Sequence, residues 1–384
     1  MTEWKTYRLG NLCDTISDTY KGCADEVVLI NTSDVLEGKC LNHTKEPNRN
    51  IKGQFKKTFK KYDILYSEIR PANKRFAYID FDATNYIAST KLMVLRHNEK
   101  IEPLYLYYIL QSQNIIDELQ MLAESRSGTF PQITFSELSR LEVKLPNREA
   151  QRQILGILGA IDDKIENNHR INANLELQAQ ALFDEWFIAN PSHLGVYSKA
   201  YLTDIANYLN GLAMQKFRPL EDETGIPVLK IKELGQGVCD ESSDMCSPAI
   251  EKKYVINDGD IIFSWSGTLL VDIWCGGVCG LNQHLFKVTS DKYPQWFIYY
   301  WTKHHLAKFI RIAKDKAVTM GHIKRGDLEA SEVLIPDEKS FAEIDKVISP
   351  IFKAIVVNRI ENRRLATLRD TLLPKLMNGE IKTE

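Results

Sequence analysis

The chain has 384 residues, 44% of them hydrophobic and 26% charged, enough to bury more than one core. Its net charge of −2 exerts no overall pull on nucleic acid, so any such affinity has to come from local patches. Seven cysteines at irregular spacing suit reduced thiols in a cytosolic compartment, and the opening Met1-Thr2-Glu3-Trp4-Lys5 is neither basic nor apolar, so neither export nor a membrane span is expected.

In chain order, residues 1 to 148 alternate short β-like runs with turns: Val27-Val28-Leu29-Ile30, Tyr62-Asp63-Ile64-Leu65-Tyr66 and Lys91-Leu92-Met93-Val94-Leu95. An aromatic-rich helix is expected over 103 to 121, then a loop and a strand ending at Pro146. This part carries 21 Lys and Arg against 19 Asp and Glu, whereas 149 to 190 carries 3 against 7. The run Gln54-Phe55-Lys56-Lys57-Thr58-Phe59-Lys60-Lys61-Tyr62 interleaves lysines with aromatics, and Arg70-Pro71-Ala72-Asn73-Lys74-Arg75 adds a second cluster. Lysines neutralise phosphates, while Arg and Asn can read guanine and adenine edges bidentately. An ordinary solvated basic surface has the same composition, and both readings stand.

Residues 191 to 336 repeat the order with Val228-Leu229-Lys230-Ile231, Asp260-Ile261-Ile262-Phe263 and His284-Leu285-Phe286-Lys287-Val288, a helix over 294 to 313, and a strand ending at Pro336. Both parts are α+β units. Lys303-His304-His305, Lys308, Arg311, Lys314 and Lys316 share helical spacing, on a face that solvation alone accounts for. The loops Ser125-Arg126-Ser127-Gly128-Thr129-Phe130-Pro131-Gln132 and Lys316-Ala317-Val318-Thr319-Met320-Gly321-His322-Ile323-Lys324 occupy matched positions. Their small, hydroxyl, amide and imidazole side chains suit close approach to a polar backbone, and equally suit turns.

The repeat is most exact where these units end. Residues 127 to 187 and 317 to 377 align without a gap at an offset of 190, with 13 identities in 61 pairs. From Ile154 a seam runs through Leu158, Ile161, Ile165, Asn168, Asn172, Leu175, Ala179, Leu182 and Trp186 in alternating steps of 4 and 3. Its copy runs through Ile344, Ile348, Ile351, Ile355, Asn358, Asn362, Leu365, Arg369, Leu372 and Leu376. That is the a/d spacing of a coiled coil, and an antiparallel pairing is expected. Roughly 38 residues at about 1.5 Å each give a rod on the order of 57 Å. The asparagines either fix register through facing partners or mark a solvated stretch of the seam. Pro350 and Pro374 predict a kink or restart at each, with an unbroken helix over 350 to 373 and a stop at Asn378-Gly379.

Catalytic patterns are missing. No Gly-x-Gly-x-x-Gly follows a strand, and there is no phosphate-cradling Gly-x4-Gly-Lys-Ser/Thr, His-Glu-x-x-His or Gly-x-Ser-x-Gly. Asn190-Pro191-Ser192-His193 lacks the second proline and the aromatic with which amino-methyltransferases hold an extruded adenine. Cys239, Cys246, Cys275, Cys279 and His284 depart from paired Cys-x2-Cys zinc spacing, so no metal is expected.

The tandem plan, Leu145-Pro146 and Ile335-Pro336 before each helix, Gln151-Arg152-Gln153-Ile154 with Ile161-Asp162-Asp163-Lys164-Ile165, and the terminal Leu368-Arg369-Asp370-Thr371-Leu372-Leu373-Pro374-Lys375-Leu376-Met377-Asn378-Gly379-Glu380-Ile381 together resemble the DNA specificity subunit of Type I restriction–modification systems. Asp63-Ile64-Leu65-Tyr66-Ser67-Glu68-Ile69-Arg70-Pro71, Gly259-Asp260-Ile261-Ile262-Phe263-Ser264-Trp265-Ser266-Gly267-Thr268 and Leu281-Asn282-Gln283-His284-Leu285-Phe286-Lys287-Val288 look like the framework of its target recognition domains. The resemblance implies recognition domains at 1–148 and 191–336 and spacer helices at 149–190 and 337–384, forming an antiparallel coiled coil with an internal pseudo-twofold repeat. It implies that each domain reads half of a bipartite double-stranded DNA site and that the helices set the gap. Two modification subunits would supply S-adenosylmethionine-dependent adenine methylation, and restriction subunits would add ATP- and Mg-dependent translocation and cleavage. Candidate DNA contacts are the clusters above, with Lys56, Lys57, Lys60, Lys61, Arg70, Asn73, Lys74, Arg75, Arg126, Thr129 and Gln132 in the first half. In the second they are Lys216, Arg218, Trp265, Ser266, Gln283, His284, Lys314, Lys316, Thr319, His322 and Lys324. A coiled-coil scaffold joining two protein-binding units is the alternative.

Overall fold

The computed structural model describes residues 4–49, 51, 53–126, 130–315 and 321–381. Each half is an α+β unit whose two four-stranded sheets share one topology. In the first half, one sheet runs in the order Cys13–Ile16, Leu92–His97, Ile64–Ser67, Phe76–Tyr78, and the other Glu46–Pro47, Glu26–Ile30, Tyr86–Ser89, Phe55–Lys57. The second half repeats both orders with Asn207–Asn210, Leu285–Thr289, Ile261–Ser264, Leu270–Ile273 and with Met245–Cys246, Ile226–Leu229, Cys279–Leu281, Val255–Ile256. In both, the second sheet holds one parallel pair, Glu26–Ile30 beside Tyr86–Ser89 and Ile226–Leu229 beside Cys279–Leu281. A two-stranded ribbon closes each unit, Lys5–Arg8 on Glu142–Leu145 and Tyr197–Tyr201 on Glu332–Pro336.

The expected strands are present, displaced by one or two residues. The first helical segment is split at Ser112 into Pro103–Gln111 and Gln113–Arg126. Ser112 is extended at ψ 140°; its hydroxyl donates to the Ile109 carbonyl at 2.7 Å, while its own carbonyl accepts from Ile115 and Ile116. A short polar side chain thus ends one helix and starts the next. Its counterpart, Gln295–Asp315, is continuous.

The long helices run over Arg148–Phe183 and Glu338–Met377. Matched residues cap them. The Asn147 Oδ1 accepts the Ala150 amide at 2.9 Å, and the Asp337 Oδ1 accepts the Ser340 amide at 3.0 Å. A π-helical stretch Asp184–Ala189 follows the first, so the α-helix stops short of 190; there Phe183 and Phe187 stack 5.0 Å apart in the aromatic core. Of the kink or restart expected at each proline, the restart does not occur, since the helix is continuous through Pro350 and Pro374. One proline deletes one hydrogen bond, roughly 3 kcal/mol with its clash, whereas Ile348, Phe352 and Ile355 on either side of Pro350 bury whole side chains at roughly 2 kcal/mol each. The helix does stop before Asn378-Gly379, with Gly379 left-handed at φ +74°.

The chain divides into two compact units, residues 1–162 with 367–384, and residues 163–366. In the first, Leu372, Leu373, Leu376 and Met377 pack with Ile154, Leu158 and the domain core around Tyr105, Leu106 and Ile116. Asp162 there accepts from Tyr108 and, at 2.9 Å, from Arg369, so that this basic seam residue ends on a carboxylate. In the second, Ile344, Ile348, Phe352 and Ile355 join Ala179, Phe183, Trp296 and Phe297. In the second unit the helices pair antiparallel, 168 facing 362 and 172 facing 358, and in the first 162 faces 369.

Along the seam Ile161, Asn168, Asn172, Ile355 and Asn362 are buried, and Ile165, Leu175, Leu182, Ile351, Asn358, Leu365 and Leu372 are half-buried. Asn168 donates from Nδ2 to the Asn362 Oδ1 at 2.8 Å and to the Glu361 Oε2 at 2.7 Å. Asn358 donates to the Asn172 Oδ1 at 2.9 Å. Asn172 and Asn362 then donate to the carbonyls of Ile355 and Ile165, at 3.1 and 3.3 Å. Of the two readings of these asparagines, the facing-partner one holds.

Candidate nucleic-acid interface

A strand end and a loop remote in sequence meet in the same way in both halves. Ile69 forms an antiparallel bridge with Gln132, and Ser266 forms one with His322. Around the first, the Ile133 amide donates to the Glu68 carbonyl at 2.9 Å and the Arg70 amide to the Pro131 carbonyl at 3.1 Å. Around the second, Ile323 donates to Trp265 at 3.1 Å and Gly267 to Gly321 at 3.0 Å. The strand before each bridge pairs at one register, Ser67 with Leu92 and Ser264 with Leu285. Position 91 therefore matches 284, and 70 matches 267.

On this common backbone the side chains differ. In the first half the Lys91 ammonium donates to the Gln132 Oε1 at 3.2 Å and lies 3.8 Å from Glu68. In the second, the His284 Nδ1 and the Ser266 hydroxyl are 3.0 Å apart, Gln283 lies 3.3 Å from the other imidazole nitrogen, and Trp265 stacks obliquely over His284 and meets His322 edge-on. The Trp265 indole donates to the Asn210 Oδ1 at 2.9 Å, which holds the ring in place. One cluster is a charged amide–ammonium group, the other an imidazole–hydroxyl–indole group. Both present donors and acceptors on a frame fixed by main-chain bonds, the property a base-reading surface needs.

Sequence reasoning picked out Arg70, Gln132, Trp265, Ser266, Gln283, His284 and His322, and the fold brings these to the matched bridges. It missed Lys91, Glu68 and Asn210. The available signal for Lys91 was its place one residue before the strand, where the second half has His284. The remaining candidates scatter. Lys56, Lys60 and Lys61 are exposed, with the Lys61 ammonium 5.2 Å from the centre of the Tyr62 ring. Lys57 turns inward to donate to the Thr90 and Leu92 carbonyls, at 3.1 and 2.8 Å, and burial lowers its pKa. It braces the residues on either side of Lys91, so it is a structural lysine rather than one pointing at solvent. Arg75 likewise spends its guanidinium on the carbonyls of Ser33 and Val35.

Asn73 is exposed, and Lys74 is half-buried in left-handed backbone. Lys216, Arg218, Lys314 and Lys324 are exposed. Arg126 closes its helix, and nothing is described of its side chain; Thr129, Lys316 and Thr319 lie outside the described residues. On the face led by Lys303, Lys308 donates to the Ala330 carbonyl at 3.2 Å and His305 meets the Glu332 carbonyl at 2.9 Å. Among the described residues no group of three or more His, Cys, Asp or Glu is placed to hold a metal ion. Cys239 and Cys279 are free thiols, and His284 is engaged with Ser266. Nor, among the described residues, is any helix long and apolar enough to cross a membrane.

Two duplicated α+β units, long helices paired antiparallel, and one reading frame carrying two side-chain sets define a tandem recognition protein. The chain belongs to the Type I restriction modification DNA specificity domain family, whose model matches residues 1–177 and 197–369. It is 30% identical to the Type I restriction enzyme HindI specificity subunit of Haemophilus influenzae, over 99% of this chain and 100% of that one. It is 29% identical to the MjaIX specificity subunit of Methanocaldococcus jannaschii, over 73% of this chain and 69% of the relative. The crystal structure of a Type I restriction–modification S subunit from M. genitalium has the same fold, with a TM-score of 0.59 at 16% identity, covering 98% of this chain and 96% of that one.

Proposed function

We propose that this chain is the sequence-reading, non-catalytic subunit of a Type I restriction–modification complex, and that it recognises a split, asymmetric DNA sequence. The domain at 1–148 reads one half and the domain at 191–336 the other, while the helical segments 149–190 and 337–384 set the gap. The observation that carries this reading is the matched pair of bridges, Ile69 with Gln132 and Ser266 with His322: one backbone site built twice and furnished with different side chains. Two copies of one site with unlike chemistry suit two unlike half-sequences. Two modification subunits would bind S-adenosylmethionine and methylate adenine, and restriction subunits would bring ATP- and Mg-dependent translocation and cleavage. The assembly would act in the prokaryotic cytoplasm.

Mapping N6-methyladenine on DNA treated with the chain in complex with its modification subunits tests this. The expected pattern is one bipartite sequence of constant gap, of which exchanging residues 1–148 for those of another specificity subunit changes one half only. A change in both halves, or DNA binding that does not weaken as salt rises, sinks the reading in favour of a protein-binding scaffold.

A further inference from the structure

Left-handed backbone recurs at three matched positions of the two halves: Gly38 (φ +93°) with Gly237 (+73°), Tyr62 (+74°) with Gly259 (+90°), and Arg70 (+44°) with Gly267 (+65°). Glycine takes this conformation freely, whereas a residue with a Cβ is strained in it. The second half uses glycine at all three. The first half carries a full side chain at two, so each needs a compensating interaction. Tyr62 has one, with its ring 6.4 Å from that of Tyr78 and beneath the Lys61 ammonium. Arg70 has none among the described residues: its side chain is exposed and makes no hydrogen bond or ion pair with any of them.

Resting on the reading of the previous subsection, we propose that Arg70 reads a guanine in the half-sequence recognised by the first domain. Its backbone is fixed on both sides, by its amide on the Pro131 carbonyl at 3.1 Å and by its carbonyl accepting the Asn73 amide at 2.8 Å. Buried Pro71 follows immediately and anchors the turn. The exposed guanidinium is therefore carried by a rigid base, on the residue that follows the Ile69–Gln132 bridge, and Gln132 itself holds the Lys91 ammonium. A planar fork with two parallel N–H donors matches the O6 and N7 acceptors of guanine in the major groove, and a rigid base is what turns that match into discrimination. The duplicate position, Gly267, has no side chain, so the second domain lacks this interaction and leaves the work to Trp265, Ser266 and His284.

The test uses Arg70→Gly and Arg70→Lys variants, each assembled with the modification subunits, with the methylated sequence mapped and thermal unfolding followed. Arg70→Gly removes the strain and should melt at or above the parent temperature. It should also lose about tenfold or more of the discrimination at one guanine of one half-sequence, leaving the other half and the gap unchanged. Arg70→Lys keeps the charge and should lose the same discrimination. An unchanged methylated sequence in Arg70→Gly overturns the assignment, and so does a uniform loss at every position that Arg70→Lys restores, the mark of a phosphate contact. A lowered melting temperature in Arg70→Gly overturns it as well, by making the residue structural. A parent complex that methylates no split sequence overturns the recognition reading itself, and the assignment with it.

Discussion

Asn168 is bonded to Asn362, the duplicate of Asn172, while Asn358, the duplicate of Asn168, is bonded to Asn172. Each asparagine thus meets the copy of the other, so the four amides form a locally two-fold exchange in which any shift of register breaks both pairs. Asn168→Leu strands a buried amide on Asn362 and should cost about 1–3 kcal/mol, seen as a lowered thermal midpoint. Adding Asn362→Leu should recover most of that loss, since two apolar partners leave no buried amide stranded between the helices. A single variant as stable as the parent would show that the pair does not hold the register.

The lysines of residues 56 to 61 should separate into two kinds. Alanine at Lys56, Lys60 or Lys61, whose ammonium groups are in solvent, should lower the salt slope of DNA binding by about 0.9 for each phosphate left without its lysine, and should not alter the sequence read. Alanine at Lys57 should leave that slope alone and lower stability by about 1–3 kcal/mol, because the carbonyls of Thr90 and Leu92 lose their donor. Binding isotherms at several salt concentrations, set beside melting curves, distinguish the two.

Stability should also fall on mild acidification through His305. Burial lowers its pKa from the ordinary 6.5 to about 4. Between those values the unfolded chain binds a proton that the folded chain does not, so stability rises with pH across that window and is lost as pH drops from about 6.5 towards 4. Comparison of melting at pH 7 and pH 5 should show a smaller drop for His305→Asn than for the parent. Equal drops would mean that the imidazole is not held neutral.

Asp63 is 1% exposed and binds Arg96 bidentately at 2.7 Å through both carboxylate oxygens, one of which also accepts the Lys60 amide at 2.9 Å. Asp260 repeats the turn, accepting the Asn257 amide at 2.8 Å and pairing with Lys287 at 2.7 Å. Asp63→Ala should destabilise by roughly 3 kcal/mol or more because it leaves a guanidinium without its partner. Asp260→Ala should act in the same direction. Unchanged urea midpoints for both would remove these turns from the frame that the two halves share.

The two α+β units and the helix seam were readable in the sequence, because a period of 3.5 kept along one helix and repeated at an offset of 190 is the mark of a duplicated coiled-coil strand. The prolines misled because a local rule met a strong tertiary one: Pro350 sits among side chains whose burial holds the helix through it. The left-handed turns at Tyr62 and Arg70 were hidden, since neither residue advertises that conformation as glycine does. Inward lysines such as Lys57 were equally hidden, because composition says nothing of where an ammonium points. Lys91 became legible as an interface residue only through strand register, which aligns it with His284 where the sequence offsets drift.

The closure of the first unit by residues 367–384 has a consequence for synthesis. Leu372, Leu373, Leu376 and Met377 complete a core whose other members lie between Trp4 and Leu158, and left-handed Gly379 lies so close to the Trp4 indole that an added Cβ would meet it at 2.8 Å. The first unit, made before the second, is therefore finished after it, once the continuous unit of 163–366 has been made. A stop codon just before Leu372 would spare the second domain, its neighbour in the gene, and uncover the core of the first one, encoded far upstream.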